Sequence, residues 1–349
     1  MTAAPYATRD YAALVRRRWQ RLLAAAGVLA VTVVADILIG PAFLPFRDVI
    51  AALLLPADSV GATVHVIVHE IRLPMTLMAL VVGASLGVAG TLMQTILGNP
   101  LASPYTLGFS AAAGFGAVFA ILTGWQLPVV PRFSVPLAAC CGGCLAALIV
   151  YGLARMRRMT SEVMILAGIA TLFLFQSLQS LVQYMAAPEV LQEMVFWLFG
   201  SLARATYLSA AIAGGIFVAV AAVLVPEVWR LTALRLGDAR ARSLGVAVDR
   251  LRIKVFALVV LLTAGAVAFV GTIGFVGLVA PHIARMLVGE DQRVLLPMSA
   301  LTGAFVMAGA SIVSKLVSPG AVVPIGIVTA VIGVPFLFAL IIRGRRTFW

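Results

Sequence analysis

Across 349 residues the chain is 62% hydrophobic and 11% charged, a balance that no water-exposed globular surface tolerates. A formal net charge of +12 would suit nucleic acid, but the positive residues fall in short loops between long apolar runs, so membrane topology accounts for them and no nucleic-acid partner is expected. Those runs are continuous and rich in Leu, Ala, Val and Gly, unlike the short alternating strands of a membrane barrel, and they imply an all-α polytopic membrane protein in contact with lipid.

A bilayer-spanning helix takes about 20 apolar residues. About ten such stretches can be marked, near 22–44, 73–97, 105–124, 133–154, 163–187, 205–226, 253–272, 274–289, 294–314 and 324–342. The first follows a basic N-terminal arm, residues 1–21, with Arg16, Arg17, Arg18 and Arg21. No small-residue cleavage site with a hydrophilic domain follows it, so it is expected to be a retained helix, not a signal peptide. Residues 22–344 form one transmembrane domain and 345–349 a short tail. Ahead of the second stretch, His65 and His69 stand beside Glu70 in the order His-x-x-x-His-Glu, which is not the zinc-protease arrangement and reads as an interfacial helix without a metal.

No charged residue lies between Arg72 and Arg132. Within this run Gly83, Gly87 and Gly90 permit close helix approach, and Asn99-Pro100 marks a turn. Cys140, Cys141 and Cys144 sit inside the fourth stretch; they read as small residues at a helix contact, with no disulfide framework. In the fifth, Gln176, Gln179 and Gln183 recur at i, i+3 and i+7, placing three amides on one stripe. They serve either interhelical hydrogen bonds or a neutral wall along a translocation path for a large hydrophilic cargo.

The longest polar insertion, residues 227–254, carries Arg230, Arg235, Asp238, Arg240, Arg242, Asp249, Arg250, Arg252 and Lys254. Gly237 and Gly245 bracket Asp238 to Leu244, a turn or two of helix with an acid near its N-terminus. The uncharged run from Val255 to Ala284 is long enough for one helix, but Gly271, Gly274, Gly277 and Pro281 oppose continuity. A helix break and a short re-entry near a gate are expected there, with His282 able to bond across the turn.

Ten spans place both termini in the cytoplasm, together with all but five of the 25 Lys and Arg; Arg47, Arg72, Arg132, Arg204 and Lys315 are left on the opposite side. The spans carry almost no ionisable group beyond Asp36 and His282, whereas ion-coupled transporters need partners for a proton or sodium ion at that depth. The chain also has no phosphate-binding loop, and its only lysines are Lys254 and Lys315, so it does not hydrolyse ATP by itself. No nucleophile and base pair suggests an intramembrane enzyme. A channel or secondary transporter working without ATP is the distant alternative.

Arg72-Leu-Pro-Met75, Gly83-Ala-Ser-Leu-Gly-Val-Ala-Gly90, Gln94 and Asn99-Pro-Leu-Ala-Ser-Pro-Tyr-Thr-Leu-Gly108 resemble the FecCD family of importer permeases. In the same order, so do Trp197-Leu-Phe-Gly-Ser-Leu202, Leu236-Gly-Asp-Ala-Arg-Ala-Arg-Ser-Leu-Gly245, the run Gly271 to Arg285, and Pro324-Ile-Gly-Ile-Val-Thr-Ala-Val-Ile-Gly-Val-Pro335. The resemblance covers residues 70 to 342. It implies a type II importer permease of the bacterial inner membrane, with two permease subunits around a path, two cytoplasmic ATPase subunits that bind ATP and Mg, and a periplasmic substrate-binding protein. The chain itself needs no cofactor or metal.

Family cargoes are ferric siderophores, haem, vitamin B12 and some oxyanions, and the stretch 99–108 looks most like the ferric-siderophore members. In the family the segment matching Leu236, Gly237, Asp238, Arg240, Arg242, Ser243, Leu244 and Gly245 docks in the ATPase. Without the resemblance it would read as a solvated basic loop. Arg72 and Lys315 match basic positions that meet acidic residues of the binding protein; each also reads as an interfacial anchor. The chain departs from the pattern at Met75, where many relatives have arginine, and at Val322, where many have glutamate.

Overall fold

The computed structural model describes residues 4–42, 44–56, 59–157, 160–317 and 321–343; the tail with Arg345 and Arg346 lies outside them. Among the described residues every expected stretch is helical and no strand occurs. With no water at membrane depth, a helix satisfies each backbone N–H and C=O within its own segment. In chain order the helices are α1 Ala4–Leu38, α2 Phe46–Leu54, α3 Ala62–Val66, α4 Leu73–Leu97, α5 Phe109–Thr123, α6 Ser134–Met156, α7 Ser161–Met185, α8 Pro188–Leu198 and α9 Tyr207–Leu224. They continue with α10 Val228–Leu234, α11 Asp238–Ser243, α12 Val248–Val270, α13 Val276–Val288, α14 Gln292–Leu316 and α15 Ile325–Arg343.

Local chemistry sets many of the ends. The Thr206 hydroxyl and Ser209 form a reciprocal capping box at the start of α9, and Asp291 accepts from the Arg293 amide at 3.1 Å to open α14. Helix α4 stops where Gly98 turns left-handed at φ +60° and the Asn99 amide bonds back to the Gln94 carbonyl at 3.2 Å. The side chain of Asn99 then accepts from the Leu101 amide at 2.9 Å, so the expected turn at Asn99-Pro100 is built by its own residues.

Helices α4 and α12 form the buried centre, while α1 lies at the periphery against α14. The seam between α4 and α14 is backbone on backbone: a Cβ on Gly83 would lie 2.3 Å from the Gly303 carbonyl oxygen, and one on Gly90 would lie 1.8 Å from that of Gly277 on α13. Only glycine permits these approaches.

Two boundaries differ from expectation. Residues 4–21 of the basic arm are already helical within α1, which ends at Leu38, short of the expected 44 and just before Gly40-Pro41. Seven helices among the described residues are long and apolar enough to cross a membrane, and three apolar ones, Phe109–Thr123, Val276–Val288 and Ile325–Ala339, are shorter. The expected third span, from residue 105, begins as helix only at Phe109 because residues 98–108 run as turns.

Candidate functional site

At the basic end of the bundle the insertion 227–254 folds into α10, α11 and about the first two turns of α12. Gly237, at φ +94°, and Gly245, at φ +83°, supply the two left-handed corners around α11. Ala241, Val246 and Val248 are buried and hold the element down, while Leu236, Arg240, Arg242, Ser243, Leu244 and Gly245 are exposed. Two large apolar side chains among arginines, on a firmly seated segment, make a surface suited to a protein partner more than to water.

Asp238 faces inward and takes a two-pronged contact from Arg252 of α12, 2.8 Å to each oxygen. The Arg252 guanidinium also donates to the Ile96 carbonyl at the end of α4, 2.9 Å away. Nearby, Glu290 meets Arg235 at 2.8 Å and Arg285 at 2.9 Å, and Arg285 donates to the Gln94 side chain at 2.8 Å. Sequence reasoning named Arg252, Arg285 and Gln94 without pairing them and did not single out Glu290, because the contacts that join Arg252 to Ile96, Arg285 to Gln94 and Glu290 to Arg235 span distant parts of the chain.

A second constellation forms where three helices are interrupted. Residues 198–201 after α8, residues 270–273 after α12 and residues 324–326 before α15 clasp one another through their backbones. The Ser201 amide donates to the Val270 carbonyl at 2.7 Å, and the Ile325 and Gly326 amides donate to the carbonyls of Gly200 and Phe199, each at 3.0 Å. A Cβ on Gly271 would sit 2.3 Å from the Trp197 carbonyl oxygen, and one on Gly326 would sit 2.4 Å from that of Phe199. The expected break at Gly271 and Gly274 is thus present, and it forms a joint with two other motifs that the sequence presents separately.

The next residue to α13 is Phe275, which among the described residues is the one non-glycine at positive φ, +68°. It centres a three-residue turn closed by the Val276 amide and the Gly274 carbonyl at 2.8 Å. From there α13 runs 13 residues, about 20 Å at 1.5 Å per residue, before reaching the basic end, so the joint lies at membrane depth. Irregular backbone at that depth must be buried in protein or must line a wet cavity.

It does line one. A groove of about 680 Å³ is walled by Ser103, Tyr105 and Thr106, by Leu198 and Phe199, by Thr272, Gly274, Phe275 and Leu278, and by Gly326, Ile327, Ala330, Val331 and Leu337 of α15. No wall residue is charged. Hydroxyls of Ser, Thr and Tyr stand among aromatic and aliphatic groups, a surface that can wet and release a bulky solute without holding it by fixed charge.

Other expected site residues fall elsewhere. Of the glutamine stripe, Gln176 is exposed and Gln183 half-buried, while the Gln179 amide packs so closely on α5 that a Cβ at Gly114 would lie 2.8 Å from its oxygen. None of the three lines the groove. Gly277 and Pro281 are buried in α13, and the His282 ring meets Phe336 of α15 edge-on with centroids 6.1 Å apart.

Arg72 and Lys315, the expected docking charges, lie buried. Both are 2% exposed, and neither presents a free charge at the end opposite the basic one. Arg72 donates to the carbonyls of Ile37, Leu38 and Ala42 at 3.0, 2.7 and 2.6 Å, capping the end of α1. Lys315 binds Asp36 at 2.8 Å, and the second oxygen of Asp36 accepts from Thr76 at 2.5 Å. In this arrangement both charges are engaged within the chain.

The model of the FecCD transport family matches residues 28–343. The Fe(3+) dicitrate transport system permease protein FecD of Escherichia coli (strain K12) is 38% identical over 283 residues, 80% of this chain and 86% of that protein. The cobalamin import system permease protein BtuC of Halobacterium salinarum is 38% identical over 288 residues, covering 82% of this chain and 76% of that one. Among solved structures, an inward-facing ABC transporter assigned to the metal-chelate type superposes with a TM-score of 0.81 at 32% identity, over 93% of this chain and 99% of that chain. A match from residue 28 to residue 343, together with relatives 38% identical over four-fifths of the chain, leads to one statement: this chain is a member of the FecCD transport family.

Proposed function

We propose that the chain is the membrane-spanning permease subunit of an ATP-binding-cassette importer, carrying a ferric siderophore or similar iron chelate across the bacterial inner membrane. The single observation that carries this reading is the segment 236–245: it projects exposed Leu236 and Leu244 among arginines while Asp238 is tied inward to Arg252. A chain without a phosphate loop needs such a contact to receive work from ATPase subunits. Both termini are then cytoplasmic, the opposite end meets a periplasmic binding protein, and a second copy completes the path, supported by the exposed apolar side chains of α15, among them Val331 and Phe338. ATP and Mg belong to the ATPase partners.

The uncharged groove wall supports a bulky chelate over a free metal ion or a small oxyanion, which would need charged or strongly coordinating groups. Haem or cobalamin is the second reading, favoured by the cobalamin permease BtuC matching at the same 38% identity as FecD. The test is reconstitution of the permease with its ATPase and binding protein in proteoliposomes. Asp238→Lys and Gly245→Pro are expected to abolish hydrolysis stimulated by the loaded binding protein while the permease stays inserted; undiminished stimulation rejects the coupling role. Uptake of a ferric hydroxamate, haem and cobalamin, compared side by side, decides the cargo.

A further inference from the structure

Two polar routes of different make-up join the segment around α11 to one helical turn of α4. The first is Asp238 to Arg252 to the Ile96 carbonyl, with contacts of 2.8 Å to each Asp238 oxygen and 2.9 Å to the carbonyl. The second is Arg235 to Glu290 to Arg285 to Gln94, with contacts of 2.8, 2.9 and 2.8 Å. Arg235 and Asp238 flank Leu236-Gly237; Gln94 and Ile96 share the final turn of α4. Arg252 is 5% and Gln94 0% exposed, so water does not readily replace the contacts these two make, while Glu290 in the second route is half-exposed; groups joined at buried ends move together more easily than they separate.

Beyond that turn the chain enters residues 98–108, whose Ser103, Tyr105 and Thr106 wall the groove. A turn held at one point can swivel, whereas one held at two points follows both the shift and the tilt of what holds it. The Ile96 carbonyl is one of the last-turn acceptors that α4 itself leaves without a helical donor, so Arg252 completes the helix end while linking it to α11.

We propose that Arg252 and the Arg235, Glu290 and Arg285 chain are positioning residues that carry displacement of segment 236–245 to the last turn of α4 and so move the 98–108 wall of the groove. The inference rests on segment 236–245 being the ATPase contact. Neither route touches the cargo. Their work is to make the loop that faces the groove respond to an event at the basic end.

The test uses the assembled importer in nanodiscs, with the three native cysteines replaced and nitroxide labels placed pairwise at exposed positions: Val129 as reference with Ala247, and Val129 with Leu101. Spin–spin distances are read before and after trapping with ATP, Mg and vanadate. In the parent both distances shift. In Arg252→Met with Glu290→Gln, the Ala247 shift persists and the Leu101 shift falls by at least half.

A Leu101 shift of parental size in that variant overturns the proposal, as does a parent in which Ala247 moves and Leu101 does not. A parent in which Ala247 itself stays still instead refutes the coupling role of the segment, so the two failures are distinct. Where the double variant does not assemble, Arg252→Lys and the half-exposed Glu290→Gln are read singly, and full parental shifts in both overturn the proposal.

Discussion

Asp36 has no charged neighbour on its own helix, and its partner stands 279 residues away. Lys315 answers the carboxylate at 2.8 Å, with both side chains almost wholly buried. Replacing one member of such a pair strands the other, at a cost of about 3–5 kcal/mol, while replacing both by apolar groups is often neutral. Lys315→Met is therefore expected to destabilise the purified protein by roughly that amount in thermal unfolding. Asp36→Leu combined with Lys315→Met should recover most of the loss, and a double variant no more stable than the single would show that the pair is not the cause. The same burial lets Lys315, with Asp36 and Thr76, act within the chain as a staple between α1, α4 and α14.

Among the helices, the breaks are better marked in the sequence than their meeting. Gly271 and Gly274 announce that one uncharged run is two helices, although Gly277 and Pro281, which also oppose continuity in the sequence, are accommodated inside α13; Gly326 follows Pro324 at the start of another. What the pattern does not contain is that α8, α12 and α15 are interrupted at the same depth so that their loose ends satisfy one another. A methyl group on Gly326 would press on two carbonyl oxygens, those of Phe199 at 2.4 Å and Thr272 at 2.9 Å, whereas Gly215 in α9 has open space around it. Gly326→Ala is expected to cost about 1–3 kcal/mol by overpacking, while Gly215→Ala is neutral or slightly stabilising. Equal melting temperatures for the two variants would contradict the backbone joint.

The whole molecule is drawn together at its basic end by the short loop between α13 and α14. Glu290 holds Arg235 and Arg285, Asp291 holds Arg18 and Arg293, and Arg21 donates to the Leu287 carbonyl, so four helices converge there. Burial pushes the Asp291 carboxyl up, but the hydrogen bonds from Arg293 and the nearby guanidinium of Arg18 outweigh it and hold the group below its ordinary value. With the folded value the lower one, the contribution is complete above the unfolded pKa of about 3.9 and fades as pH falls through the folded value. Hydrogen exchange along residues 13–21 should therefore hold level, once corrected for its intrinsic pH dependence, from neutral to mildly acidic conditions and rise only in strong acid. Asp291→Asn should remove that rise, and an arm that loosens already in mild acid would rule out Asp291 as its anchor.

The amino-acid sequence by itself determined the solvent of this protein, its helical class and the approximate ten stretches. These follow from composition, from periods of one helical turn and from Gly and Pro, all of which act within a few residues. It also carried the family, through motifs read in order. Only the tertiary structure decided which charges are spent inside the bundle, that the Gln176 stripe does not line the groove, and that Arg252 and Glu290 connect distant elements. Those outcomes depend on contacts between residues dozens to hundreds of positions apart, where the low dielectric of the interior enforces pairing and no local pattern records the partner.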